Sequence, residues 1–165
     1  FTYNFALGDK VEKINIPELD LWKSENAGGL SIDNEIRKKL NEESEKGLNF
    51  KNFEKENKYN VEQVTLDSLE FSFGINFIKV DIEGYELEFL NGANKTIKNN
   101  NFPPIVYELW SGKSWYKEKA DKINKFLENL GYNLNIFGKE ILAQHPDHPT
   151  QCKITKDGDR VDLKL

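Results

Sequence analysis

Methionine is absent from this chain, cysteine occurs once, at position 152, and the only arginines are Arg37 and Arg160. Without methionine, the 165 residues are not a complete translation product that keeps its initiator, so a fragment of a larger domain is expected. A lone Cys152 cannot close an internal disulfide, which suits a reducing, cytoplasmic setting, and its plain reading is an ordinary partly buried thiol. Net charge is −5, and binding phosphate needs clustered Lys and Arg, so no nucleic-acid surface is expected. No run approaches the roughly 18 apolar residues of a membrane span, and no signal peptide is visible, so no membrane partner is expected. The chain is long enough for one domain with a real core, and it shows neither an internal repeat nor a linker.

What the chain does have is an apolar strand that ends in acids and a glycine and turns directly into a helix, Phe77-Ile78-Lys79-Val80-Asp81-Ile82-Glu83-Gly84-Tyr85. Alternation puts Phe77, Lys79, Asp81 and Glu83 on one side of the strand and Ile78, Val80 and Ile82 on the other. Three ionisable groups on so apolar a strand are costly unless paired, hydrated or used. Gly84 permits a tight turn, and Leu87, Phe89, Leu90, Ala93 and Ile97 then mark one face of a single amphipathic helix. Ligands of open parallel sheets bind outside the carboxyl ends of the strands, where Asp81 and Glu83 lie. A solvated ion-pair cluster at a strand edge explains the same charges equally well.

Elsewhere, strands are expected over Phe1 to Ala6, over Val11 to Ile16 with Pro17 closing it, and from Asn60 to Leu66. Ser31-Ile32-Asp33 opens a polar helix that ends near Gly47. Pro103-Pro104 introduces a strand from Ile105 to Leu109. Trp115 to Leu130 has the period of an amphipathic helix with Gly131 as its stop. Tyr132 to Phe137 and Glu140 to Ala143 follow as strands joined through Gly138. Asp157-Gly158 in the tail reads as a hairpin turn. The pair His145 and His148 lacks a third metal ligand and reads as part of a surface loop.

The run from Phe77 to Ala93, with Thr65-Leu66-Asp67-Ser68-Leu69 before it and Pro104-Ile105-Val106-Tyr107-Glu108-Leu109 after it, resembles the FkbM family of S-adenosylmethionine-dependent methyltransferases. Asn4-Phe5-Ala6-Leu7-Gly8-Asp9 and Glu25-Asn26-Ala27-Gly28-Gly29-Leu30-Ser31 resemble that family's third core strand and its glycine-bearing insert, in the same order. The resemblance implies an α/β fold, a Rossmann-like class I methyltransferase sheet flanked by helices. The family's first two strands, with the glycine-rich cofactor turn, have no counterpart here, so about two N-terminal βα units are expected to be missing. Residues 1–149 are then a partial methyltransferase domain, and residues 150–165 are a tail with a hairpin.

The resemblance implies S-adenosylmethionine as cofactor and a hydroxyl of a glycan or other small molecule, such as a secondary metabolite, as acceptor. Asp81, Glu83 and Lys79 are the catalytic candidates. Asp81 is the base or a cofactor contact, and Lys79 holds it ionised by pairing. Glu83 can instead cap the following helix. Asp9, Asp81 and Gly84 are the cofactor-binding candidates, although Asp9 also reads as a simple turn aspartate. Asn26, Glu108 and Trp110 are the substrate-side candidates, and Trp110 with Trp115 makes an aromatic wall or lid packing. No dedicated metal site is expected. Mg²⁺ on Asp81, Glu83 and Glu108 is the lesser alternative. A non-catalytic remnant or interaction module, and a Mg²⁺-dependent hydrolase or phosphotransferase on the same acids, remain as other readings. If the missing first strand belongs beside Ile78 to Ile82, self-association through that sheet edge is expected.

Overall fold

A computed structural model describes residues 2–20, 29–43, 54–110, 112–157 and 160–164, with the backbone alone at 54–56, 156–157 and 160–164. The chain divides into two compact units, Phe1–Ser68 with Ile82–Gly92, and Leu69–Asp81 with Ala93–Leu165. Among the described residues, no helix is long and apolar enough to cross a membrane.

The first unit is a three-stranded sheet with two helices. Its strands β1 (Ala6–Leu7), β2 (Glu12–Leu19) and β3 (Glu54–Val64) lie in the order β1-β3-β2. β1 runs parallel to β3 and β2 antiparallel to it. β1 takes in Ala6, the last residue of the expected Phe1 to Ala6 strand, and continues to Leu7, the two pairing with Gln63 and Val64. Pro17 does not close β2. It pairs with Lys58, and the register shifts between it and Leu19. β2 is an edge strand, where a missing N–H is tolerated at an irregularity. Helix α1 (Asn34–Glu43) is capped by Asp33, whose Oδ1 accepts from the N–H groups of Glu35 and Ile36 at 2.8 and 3.2 Å. The expected end near Gly47 lies outside the described residues.

A single helix after the acid–glycine turn is not what forms. Helix α2 (Glu86–Asn91) belongs to the first unit and α3 (Asn94–Asn99) to the second, with Gly92 and Ala93 between them. The cause lies within the first unit. The Gly92 carbonyl accepts from the Asp67 N–H at 2.8 Å, so a donor outside the helix occupies it. A Cβ on Gly92 would also sit 1.9 Å from the Gly8 carbonyl oxygen.

In the second unit, β4 (Ile78–Val80), β5 (Ile105–Glu108), β6 (Asn133–Phe137) and β7 (Glu140–Gln144) form a sheet in the order β4-β5-β7-β6. β4 and β5 are parallel, and β7 is antiparallel to both β5 and β6. Ile105, Val106 and Tyr107 are all buried, so β5 is covered on both faces and reads as a continuous apolar run. Helix α4 (Lys117–Asn129), preceded by a 3₁₀ turn over Ser114–Tyr116, buries Ala120, Ile123 and Leu127 as its period requires. It stops at Gly131, which has φ +90°. Gly131 N–H donates to the Glu128 carbonyl at 2.9 Å and Tyr132 N–H to the Leu127 carbonyl at 3.1 Å, the paired bonds of a Schellman motif. Strands β8 (Lys153–Asp157) and β9 (Arg160–Lys164) pair antiparallel.

Candidate functional site

The exit of β4 keeps the alternation of its sequence. Phe77, Lys79 and Asp81 are exposed, and Val80 is buried. Lys79 Nζ lies 2.5 Å from Glu140 Oε1 and 3.6 Å from Asp81 Oδ2, so one ammonium bridges two carboxylates. Partial burial by itself would lower the lysine pKa. The hydrogen bond and charge of Glu140, with Asp81 added, outweigh that and raise it. Glu140 is a partner that the sequence reading missed. Its place follows from the β5–β7 register, which sets it opposite Glu108, and nothing local to Glu140 signals that pairing.

Glu108 ends β5 half-buried, and Trp110 follows it. Trp110 packs against Trp115 and Tyr116, with ring centroids 6.2 and 5.2 Å apart, and Lys113 Nζ stands 5.6 Å from the Trp115 ring centre. Asn26 lies outside the described residues. No group of three or more His, Cys, Asp or Glu side chains that could hold a metal ion occurs among the described residues, Asp81, Glu83 and Glu108 included.

Both histidines lie in the loop after β7, where Pro146, Asp147 and Pro149 are exposed, but His145 and His148 themselves are buried. His145 stacks on Phe102 at 4.3 Å and its Nδ1 accepts from the Asp147 N–H at 3.2 Å, while His148 Nδ1 accepts from the Thr150 N–H at 3.1 Å. Each ring thus satisfies an amide of its own loop, which is what allows it to be buried. Cys152 is a buried free thiol whose pKa burial pushes up.

In the first unit, the acid–glycine turn has positive φ at both central residues, +52° at Glu83 and +91° at Gly84, and Tyr85 N–H closes it on the Ile82 carbonyl at 3.3 Å. A left-handed conformation at a glutamate is costly and marks a constrained position. Glu83 is not the residue that serves these amides. Glu86 Oε1, on a side chain 2% exposed, accepts from Gly84 N–H at 3.1 Å and Ile82 N–H at 3.4 Å. The signal for Glu86 was an acid two residues after the turn glycine. Replacing Glu86 by Ala leaves both amides without that acceptor and is expected to lower stability by about 2–3 kcal/mol. Glu86→Gln keeps an acceptor and is expected to lower it by less than half as much. Urea unfolding of the two variants checks this.

Tyr85 OH donates to Gln63 Oε1 at 2.9 Å, and the amide Nε2 of Gln63, which is fully buried, donates to the Lys10 carbonyl at 3.1 Å. Burial first, then the charges of Glu88, Asp9, Asp33 and Glu12, push the Tyr85 phenol up to about 12. Asp9 is exposed at the exit of β1. It lines, with Tyr85 and Glu88, a cleft of about 760 Å³ in this unit.

A parallel strand pair that ends in acids, in a chain of alternating strands and helices, defines an α/β scaffold of the kind that carries chemistry at its strand ends. Residues 1–134 of the 165 match the family model described as the methyltransferase FkbM domain, and the chain belongs to that family. Comparison with curated proteins and comparison with solved structures each returned no match.

Proposed function

We propose that this chain is an S-adenosylmethionine-dependent O-methyltransferase domain that acts on a hydroxyl of a glycan or secondary metabolite. The observation that carries this reading, beside the family, is Asp81, a solvent-facing carboxylate at the carboxyl end of a strand in a parallel pair, held by Lys79. The order β4-β5-β7-β6, with its parallel pair and antiparallel hairpin, supports a Rossmann-like sheet. Of the residues offered to the cofactor, Asp9 has an exposed carboxylate suited to accept from hydroxyl or amino groups. Gly84 is buried with φ +91°, and its N–H is engaged by Glu86, so it contributes a turn and not a donor.

When bound, S-adenosylmethionine supplies an electrophilic methyl group. Asp81 would take the proton of an acceptor hydroxyl placed at the strand end, with Lys79 orienting its carboxylate, while the methyl would leave the cofactor's sulfur, which departs as a neutral thioether. The exposed side of Trp110 and Glu108 form the substrate side, where an aromatic face and an acid suit a hydroxylated ring.

Calorimetric titration of S-adenosylmethionine into the chain, with and without Mg²⁺, tests the reading. Saturable binding that is independent of Mg²⁺ is expected. No binding heat from a chain shown to be folded by circular dichroism would overturn it.

A further inference from the structure

We infer that the outer edge of β6, in the second unit, is an interface between two copies of this chain. The two β6 strands pair antiparallel about a twofold axis at Asn135, and the two four-stranded sheets join into one.

β6 ends the order β4-β5-β7-β6, so among the described residues one side of it has no strand neighbour. The register decides which residues face that side. Phe137 and Glu140 close a two-residue turn over Gly138 and Lys139, with φ +65° at Gly138, which makes them a hydrogen-bonded pair. Such pairs alternate with non-hydrogen-bonded ones, so Asn135 and Asn133 also bond to β7, while Leu134 and Ile136 point their N–H and C=O groups outward. The far side of β7 agrees. Leu109 N–H donates to the Lys139 carbonyl at 3.1 Å, so Lys139 and then Ile141 serve β5, and Glu140 and Leu142 are left to serve β6.

Natural sheets guard such an edge with charge, proline or a bulge. β6, Asn133-Leu134-Asn135-Ile136-Phe137, carries no charge and no proline, and its register with β7 is unbroken. Ile136 is 73% exposed, more than any other large hydrophobic side chain among the described residues. The opposite outer strand, β4, is guarded by Lys79 and by Asp81 at its end, and Glu140 already engages Lys79. Self-association, expected from the sequence at the β4 edge, is therefore assigned to β6.

The occupant is a second copy because the edge is complementary to itself. With the axis at Asn135, Leu134 of one copy exchanges both backbone bonds with Ile136 of the other, and the symmetry repeats the exchange. The same pairing sets the exposed Ile136 beside Leu134, apolar on apolar. Asn135 meets Asn135. Its Nδ2 gives one proton to the Leu142 carbonyl at 3.4 Å, and a primary amide has a second proton and an acceptor oxygen to offer the amide of the copy. Lys139, which is exposed, comes level with Gly131 of the second copy, just beyond the end of α4. There Glu128 is exposed and the last helical carbonyls carry negative partial charge, so charge is complementary at both ends of the pair.

Analytical ultracentrifugation of the intact chain, from about 10 µM to about 1 mM, tests the inference. One short strand pair buries less than the roughly 1,200 Å² of a small standard interface, so a Kd on the order of 10⁻⁴ M is expected. The mass should rise to that of a dimer and stop there, because pairing uses up the edge. Asn135→Asp and Asn135→Lys each set like charges against one another at the axis and are expected to weaken the dimer by at least about tenfold, while an equimolar mixture of the two recovers it. Asn135 is exposed, so both variants are expected to melt like the unmodified chain by circular dichroism. Ile136→Lys, at the most exposed apolar position, should leave the chain monomeric and decides alone if the Asn135 variants do not fold. A monomer throughout the range, growth beyond the dimer, a dimer indifferent to these substitutions, no recovery on mixing, or a dimer lost in Lys79→Gln instead would overturn the inference.

Discussion

Replacing Gly92 with alanine is expected to destabilise the first unit by about 3–5 kcal/mol, a large part of the 5–15 kcal/mol that holds a typical domain together. The added Cβ would lie 1.9 Å from the Gly8 carbonyl oxygen, 3.0 Å from the Gly8 carbonyl carbon and 3.1 Å from Thr65 Cβ. Two of these neighbours are backbone and cannot rotate away. Relief requires either α2 or the Gly8 turn to move. Moving the first strains the bond from Asp67 N–H to the Gly92 carbonyl. Moving the second strains Gly8 N–H to the Val64 carbonyl at 2.9 Å and the packing of Gly8 on Gln63. At about 2–4 °C per kcal/mol for a chain of this size, the melting temperature is expected to fall by about 6–20 °C. Gly74→Ala is the control, because its Cβ would meet only Asn100 Oδ1 at 3.8 Å, an ordinary contact. A Gly92→Ala melt by circular dichroism within about 2 °C of the unmodified chain would show that the Gly8 turn yields freely, contrary to this packing argument.

Asp81→Asn is the second large effect. In the proposed reaction the carboxylate takes the acceptor proton, and an amide of the same shape cannot. A loss of about 10²–10⁴ in kcat is expected, the usual contribution of a positioned base. Cofactor affinity, read by calorimetry on the same variant, should change far less than kcat. Lys79→Gln should reduce kcat by a smaller factor, because Asp81 remains and only its orientation and field are altered. The pair itself contributes little to folding. The Lys79, Asp81 and Glu140 side chains are 42%, 52% and 37% exposed, and exposed ion pairs are worth under about 1 kcal/mol. Catalytic loss with an unchanged melt is therefore the expected signature. A variant that keeps full turnover would remove Asp81 from the chemistry and leave its carboxylate as one arm of a surface ion pair.

Much of the second unit was legible as local pattern. The period of α4, its buried face of Ala120, Ile123 and Leu127 and its stop at Gly131 follow from helix geometry and from glycine's tolerance of positive φ. The exposed Lys79 and Asp81 beside buried Val80 follow from strand alternation. The acid–glycine turn was visible as a turn, and Glu83 was read as a candidate cap of the following helix, but the role of Glu86 on the turn's own amides was not read. Both are acids near a helix start, and only the path of the backbone through φ +52° and +91° directs the second one inward. The burial of the two histidines within their loop was not legible for a related reason. Flanking prolines argue for a surface loop, yet the Phe102 ring and the loop's own amides give His145 a buried place.

By itself, the sequence determined the elements that repeat at short range and the family to which they belong, because strand alternation, helix period and turn glycines each act within a few residues. Tertiary structure alone decided where α2 ends, which carboxylate shares Lys79 with Asp81, and how Gln63 holds Tyr85. Each of these depends on residues far apart in the chain, Gly8 with Gly92, Lys79 with Glu140 and Gln63 with Tyr85. Such contacts exist only once strand register and backbone direction are set, and neither is written in local composition.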